Sequence, residues 1–188
     1  MNRRELKAQA REALSKNRWM PVVANLLVGA INVAAGPASP FVAGAMTMGQ
    51  LKYYNKSLKG ENPTIGDLFS GFKNYGKSLG AFLLMMIYQM LWSLIPFAGP
   101  IISFVKIFSY ALTYHILNDN PELSANEAIT KSREMMNGHK VEYFNLVFSF
   151  LGWFMLDSLT CGLLGLLYIQ PYLQHAVAAF YENVKAQQ

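Results

Sequence analysis

The sequence predicts an all-α, polytopic membrane helix bundle. Six transmembrane helices are arranged as three hairpins, with amphipathic helices on the cytoplasmic surface. Three observations carry this reading. The first is a set of long apolar stretches, Trp19–Leu51, Leu79–Leu117 and Tyr143–Tyr181, each broken near its middle by turn-forming residues. A crossing takes about 20 apolar residues, so each stretch holds two short crossings and a turn. The second is composition: 53% of the 188 residues are hydrophobic and 14% are charged, against about 25% charged in soluble domains. The third is where the cations fall. Of 16 Lys and Arg, all but Lys106 precede, follow or separate the three stretches, and the internal turns carry none. By the positive-inside rule, both termini and the polar linkers are cytoplasmic and the short turns face out.

Arg3–Asn17 opens the chain as an amphipathic helix with Leu6, Ala10, Ala13 and Leu14 along one side. The basic start resembles a signal n-region. No small-residue cleavage site follows Trp19–Ala35, so the first apolar helix is expected to be retained. The six membrane helices are expected at roughly 19–35, 40–55, 78–95, 100–117, 142–158 and 163–183. The breaks between paired helices are Gly36-Pro37-Ala38-Ser39-Pro40, Pro96-Phe97-Ala98-Gly99-Pro100 and Thr160-Cys161-Gly162. Gly29, Ala30, Gly44, Ala45 and Gly49 are small enough to let helices approach closely. Thr64–Ser78 places Ile65, Leu68, Phe69, Phe72 and Tyr75 at helical spacing, which predicts a second surface helix. Ser124–Gly138 predicts a third. Ser124 and Glu127 form a capping box there, and Gly138 is placed to end the helix.

Each hairpin follows one such amphipathic segment and ends in aromatics: Tyr53-Tyr54, Tyr114 and Phe180-Tyr181. The chain therefore reads as a single membrane domain, 1–188, of three pseudo-repeats, 1–61, 62–121 and 122–188. Rings with a polar edge favour the membrane–water boundary.

Ionisable groups inside apolar segments are functional candidates by default. Lys106 and Asp157 are the first two to consider, each close to a turn, where snorkelling or helix capping accounts for them. Asn25, Asn32, Gln89 and Asn145 join them as candidates for an intramembrane polar site. His115, Gln170, Gln174 and His175 fit ordinary interhelical hydrogen bonding. Asp119, Glu122, Glu127 and Glu134 around the third surface helix read as a solvated face. No zinc spacing, phosphate-binding loop, nucleophile elbow or dinucleotide fingerprint is present. No catalytic residue, metal or cofactor is expected. Cys161 is the single cysteine, so an internal disulfide is excluded, and it reads as a small turn residue. The basic amino end beside a membrane helix points to anionic lipid headgroups rather than nucleic acid.

Ser132-Arg-Glu-Met-Met-Asn-Gly-His-Lys140, Leu146-Val-Phe-Ser-Phe-Leu-Gly-Trp153, Thr160-Cys-Gly162, Pro171-Tyr172 and Phe180-Tyr-Glu182 resemble a bacterial integral-membrane family. It is the family catalogued as domain of unknown function 975. Asp67-Leu-Phe69, Gly71-Phe72, Leu91-Trp92-Ser93, Tyr110 and Ile116-Leu-Asn-Asp-Asn-Pro121 extend the resemblance to about residue 40. The family's Ile-Pro-Gly-Ile turn is replaced here by the longer Ile95-Pro-Phe-Ala-Gly-Pro-Ile101. The family is distantly similar to the membrane domain of some glycerophosphodiester phosphodiesterases, whose catalytic barrel this chain lacks. The resemblance implies a multi-pass protein of the bacterial cytoplasmic membrane. The expected role is a non-enzymatic scaffold or accessory in envelope or lipid handling, with anionic lipid, a membrane-protein partner or a second copy as its contacts. A small-solute or lipid-like transporter is the alternative, and an intramembrane enzyme a weaker one.

Overall fold

The structure is a computed structural model that describes residues 3–16, 18–96, 98–160 and 162–187. All regular structure among these residues is helical. The helices are α1 (Arg3–Lys16), α2 (Trp19–Ala35), α3 (Ser39–Leu58), α4 (Ile65–Leu68), α5 (Tyr75–Ser93), α6 (Gly99–Tyr110), α7 (Thr113–Asp119), α8 (Ala125–Met135), α9 (Lys140–Phe148), α10 (Leu151–Leu159) and α11 (Gln170–Lys185). Two short 3₁₀ segments, Gly36–Ala38 and Ser70–Asn74, and a π-helical turn, Gly165–Ile169, link them.

The turns form where backbone chemistry demands. Gly36 adopts φ +51° and Gly162 φ +84°, left-handed conformations that only glycine takes at little cost. Pro40 and Pro100 stand in the first turns of α3 and α6, where the missing N–H removes no helical bond. Cys161, Phe97 and Asn17 lie outside the described residues, so the reading of Cys161 as a turn residue is not addressed.

The second surface helix, expected over Thr64–Ser78, is not one helix. The Thr64 amide and hydroxyl both bond Asp67 Oδ2, at 2.9 and 3.0 Å, and start only the short α4. The chain then tightens into the 3₁₀ segment because Gly71 is pressed onto α3. A β-carbon on Gly71 would lie 2.0 Å from the Ala45 carbonyl oxygen. Tyr75 already belongs to the long α5.

Two of the expected long helices are broken. Between α6 and α7, the Ser132 hydroxyl of α8 enters the break. It accepts the Leu112 amide at 3.2 Å and donates to the Ser109 carbonyl at 2.9 Å. These are groups that a continuous helix would pair internally. Between α9 and α10 the chain kinks at Ser149-Phe150. There Lys7 of α1 donates to the Ser149 carbonyl at 3.3 Å and lies 4.4 Å from the Phe150 ring centre. A cation at a helix C-terminus offsets the exposed carbonyl dipole.

The core sits where α3, α7 and α11 meet, with Tyr53, Tyr54, Ile116, Leu117, Phe180 and Tyr181 fully buried. Against it α1 lays the side expected to be apolar, Leu6, Ala10, Ala13 and Leu14, covered mainly by α11. Helix α8 buries Ala128, Ile129, Ser132 and Met135 against α5, α6 and α7. Both amphipathic helices thus spend their apolar sides on protein.

Of the small residues, Gly44 and Gly49 do permit close approach, Gly44 to α5 and Gly49 to the last residue of α4. A β-carbon on Gly49 would fall 1.8 Å from the Leu68 carbonyl oxygen, and one on Gly44 2.7 Å from that of Ser78. Gly29 and Ala30 face outward and make no such contact.

Large apolar side chains are exposed around the three turns, among them Val33 (81% exposed), Leu94 (67%) and Leu159 (80%). Two helical stretches, Trp19–Leu58 and Gly99–Asp119, are long and apolar enough to cross a membrane, with mean hydropathy 1.6 and 1.3.

Candidate functional site: a buried polar junction

The ends of α3, α7 and α11 bring together side chains that share no sequence motif. Asn25 of α2 accepts the Tyr54 hydroxyl at 2.8 Å and the Gln50 amide at 2.6 Å. The Tyr54 ring stands edge-on to His175, with centroids 4.8 Å apart. His175 Nδ1 meets the Pro171 carbonyl at 2.7 Å, and a carbonyl only accepts, so Nδ1 carries the proton. Its Nε2 then accepts from the Ser57 hydroxyl, 2.8 Å away.

The second histidine is tied by the Asn55 side-chain amide, which meets His115 Nδ1 at 3.3 Å. The His115 ring stacks on Tyr181 with centroids 4.7 Å apart. The Tyr181 hydroxyl donates to Asp119 at 2.9 Å. Asp119 also pairs with Lys185, and Lys59 pairs with Glu182 at 2.9 Å. Lys56 pairs with Asp67 at 2.8 Å. The junction therefore grades from neutral bonds inside to ion pairs at its rim. Burial pushes the Asp67 carboxyl up, but the Lys56 and Thr64 bonds outweigh it and hold Asp67 below its ordinary range.

A hydroxyl bonded to an imidazole has the arrangement of an activated nucleophile. Here His175 is fully buried, and neither it nor Ser57 lines any of the clefts described below. The bond ties α3 to α11. Among the described residues, no three metal-ligating side chains converge.

Of the residues read as candidates from sequence, only Asn25 belongs to this junction. Asn32 bonds the Val28 carbonyl of its own helix at 2.9 Å. Gln89 donates to the Ser103 carbonyl at 2.8 Å, closing the α5–α6 hairpin. Asn145 is exposed on α9. Lys106 rests on Trp92, 4.5 Å from the ring centre. Asp157 accepts the Gly165 amide at 2.5 Å across the third turn and so caps the next helical segment.

Two clefts flank the junction. One, of about 440 Å³, lies between α3, α5, α6 and α7 and is lined by Phe82, Met85, Met86 and Ile107, with Gln89 and Tyr114 among its polar members. The other, of about 300 Å³, lies between α6, α8 and the start of α9, and is polar.

An all-helical bundle with these apolar hairpin turns defines the class. Residues 101–188 match the model of the family described as protein of unknown function (DUF975). The match covers the third unit and part of the second. The residues from Asp67 to Ser93 expected to share the resemblance lie outside it. No curated protein and no solved structure matches the chain.

Proposed function

We propose that the chain is a multi-pass protein of the bacterial cytoplasmic membrane, with six helices as three hairpins and both termini in the cytoplasm. It acts there as a non-enzymatic scaffold or accessory in envelope or lipid handling. One observation carries the membrane reading. Large apolar side chains are exposed along the helices and at turns that carry no Lys or Arg, and ion pairs lie at the opposite ends of α3, α7 and α11. Soluble monomers rarely expose contiguous apolar patches beyond a few hundred Å². A helix interrupted at Leu112 or Phe150 still crosses if a neighbour or a side chain takes up the freed backbone groups, as Ser132 and Lys7 do.

The scaffold reading is supported by the direct side-chain bonds that tie the helices of the junction together, Tyr54 to Asn25 and Ser57 to His175. The test is labelling of whole cells with an impermeant thiol reagent, in a chain carrying Cys161→Ser. Ala38→Cys and Ala98→Cys are expected to react from outside, and Glu61→Cys and Glu122→Cys only after the membrane is opened. Labelling of the linkers from outside would overturn the topology.

A further inference from the structure

The cleft between α6, α8 and α9 is lined by three cations from three elements: Lys106, Arg133 and Lys140. Ser109, Thr130 and Asn137 add polar groups, and Glu134 is the one carboxylate in the lining. Arg133 and Lys140 are near enough for their charges to repel the Lys106 ammonium. Like charges are normally kept apart or paired. Among the described residues none of the three has a carboxylate within ion-pair distance. Lys106 is held in place by the Trp92 ring, which covers one side of the ammonium and accepts no N–H in its plane. The cleft thus presents about two net positive charges once Glu134 is counted, and none of its three cations is in an ion pair with it.

Resting on the membrane reading above, we propose that this cleft seats the phosphate of an anionic phospholipid. The choice of a lipid over a free anion follows from the flanking residues. Val105 and Val141, each next to a cleft cation in sequence, are exposed and apolar. A phospholipid offers phosphate and hydrocarbon together, and a free anion offers only the first. The cleft's 300 Å³ is ample for a phosphate with its glycerol linkage. An arginine fork and two ammonium groups match the charge and oxygen geometry of a phosphodiester.

The experiment is native mass spectrometry of the purified full chain, titrated with phosphatidylglycerol or phosphatidylcholine. The triple variant Lys106→Gln, Arg133→Gln, Lys140→Gln is expected to lose about a hundredfold in phosphatidylglycerol affinity, at about fivefold per cation. Phosphatidylcholine binding should not change. Glu134→Gln should move the other way and tighten phosphatidylglycerol binding, a gain that misfolding cannot produce. Arg11→Gln with Arg18→Gln, in a separate basic cleft, should leave the tightest site intact. Equal phosphatidylglycerol affinity in the triple variant and the natural chain overturns the proposal. Displacement of the lipid by millimolar glycerol phosphate overturns the lipid assignment. If thiol labelling places the linkers outside, the membrane reading fails instead, and the two failures are thereby distinguished.

Discussion

The imidazole of His115 lies flat on the ring of Tyr181, with centroids 4.7 Å apart and planes 22° from parallel. This contact joins α7 to α11, and the Asn55 bond to His115 adds α3. One side chain therefore touches the closing helix of every hairpin. His115→Ala should remove the stack, leave a cavity and strand the Asn55 amide, costing about 2–4 kcal/mol. Tyr181→Phe keeps the stack and loses the hydroxyl bond to Asp119, costing about 1–2 kcal/mol. Thermal unfolding in detergent should rank the two in that order. A Tyr181→Phe variant less stable than His115→Ala would show that the Asp119 bond, not the stack, holds the junction.

Glycines separate close packing from mere exposure. Gly49→Ala drives a methyl into the Leu68 carbonyl and should cost about 3 kcal/mol or more, since backbone cannot yield as a side chain does. Gly29→Ala meets nothing within 4 Å and should stabilise α2 by about 0.5–1 kcal/mol, the ordinary helical preference for alanine. Folded yield and melting temperature of the two variants should move in opposite directions.

Helix positions were the most legible part of the chain. The apolar runs and the Gly/Pro breaks place α2 to the residue, and the Ser124–Glu127 box places the start of α8, where the Glu127 amide bonds Ser124 at 3.3 Å. The breaks at Leu112 and Phe150 were not legible. Their causes are Ser132 and Lys7, which lie 20 and more than 140 residues away in sequence. The junction was missed for the same reason. His115 and His175 stand in different hairpins with no shared spacing; each was read as an ordinary interhelical hydrogen-bonding residue, which the Asn55 and Ser57 bonds bear out, but nothing in the sequence joins the two. The tyrosines closing each hairpin were a usable signal: Tyr54 and Tyr181 cover the two imidazoles. They were read as interface residues, yet both are buried.

Acid should weaken the tie between α3 and α4. The Asp67 carboxyl is held below its ordinary range, so the folded state binds its proton less readily than the unfolded chain does. Its contribution is therefore complete above the unfolded value of about 4 and is lost as pH falls through the lower, folded value. Asp67→Asn should be less stable than the natural chain near neutrality, and the gap should close as pH drops below about 4. A gap that widens toward low pH would contradict the Lys56 pairing.

Lys106 and Asp157 are the Lys and Asp inside the apolar stretches, and an ion pair between them is the reading to test. Their observed partners differ. Lys106 lies on Trp92 and faces Arg133 and Lys140, whereas Asp157 receives the Gly165 amide. Removing one member of a buried pair would cost about 3–5 kcal/mol and removing both far less. Independent groups behave otherwise: Lys106→Met and Asp157→Asn should add to within about 0.5 kcal/mol in the double variant. Asp157→Asn keeps an oxygen for the Gly165 amide and should cost little. Asp157→Leu loses that cap and should cost about 1 kcal/mol, the usual loss when a helix cap is removed. Thermal unfolding of the single and double variants decides between these. A coupling above about 1 kcal/mol would mean that the two groups communicate after all.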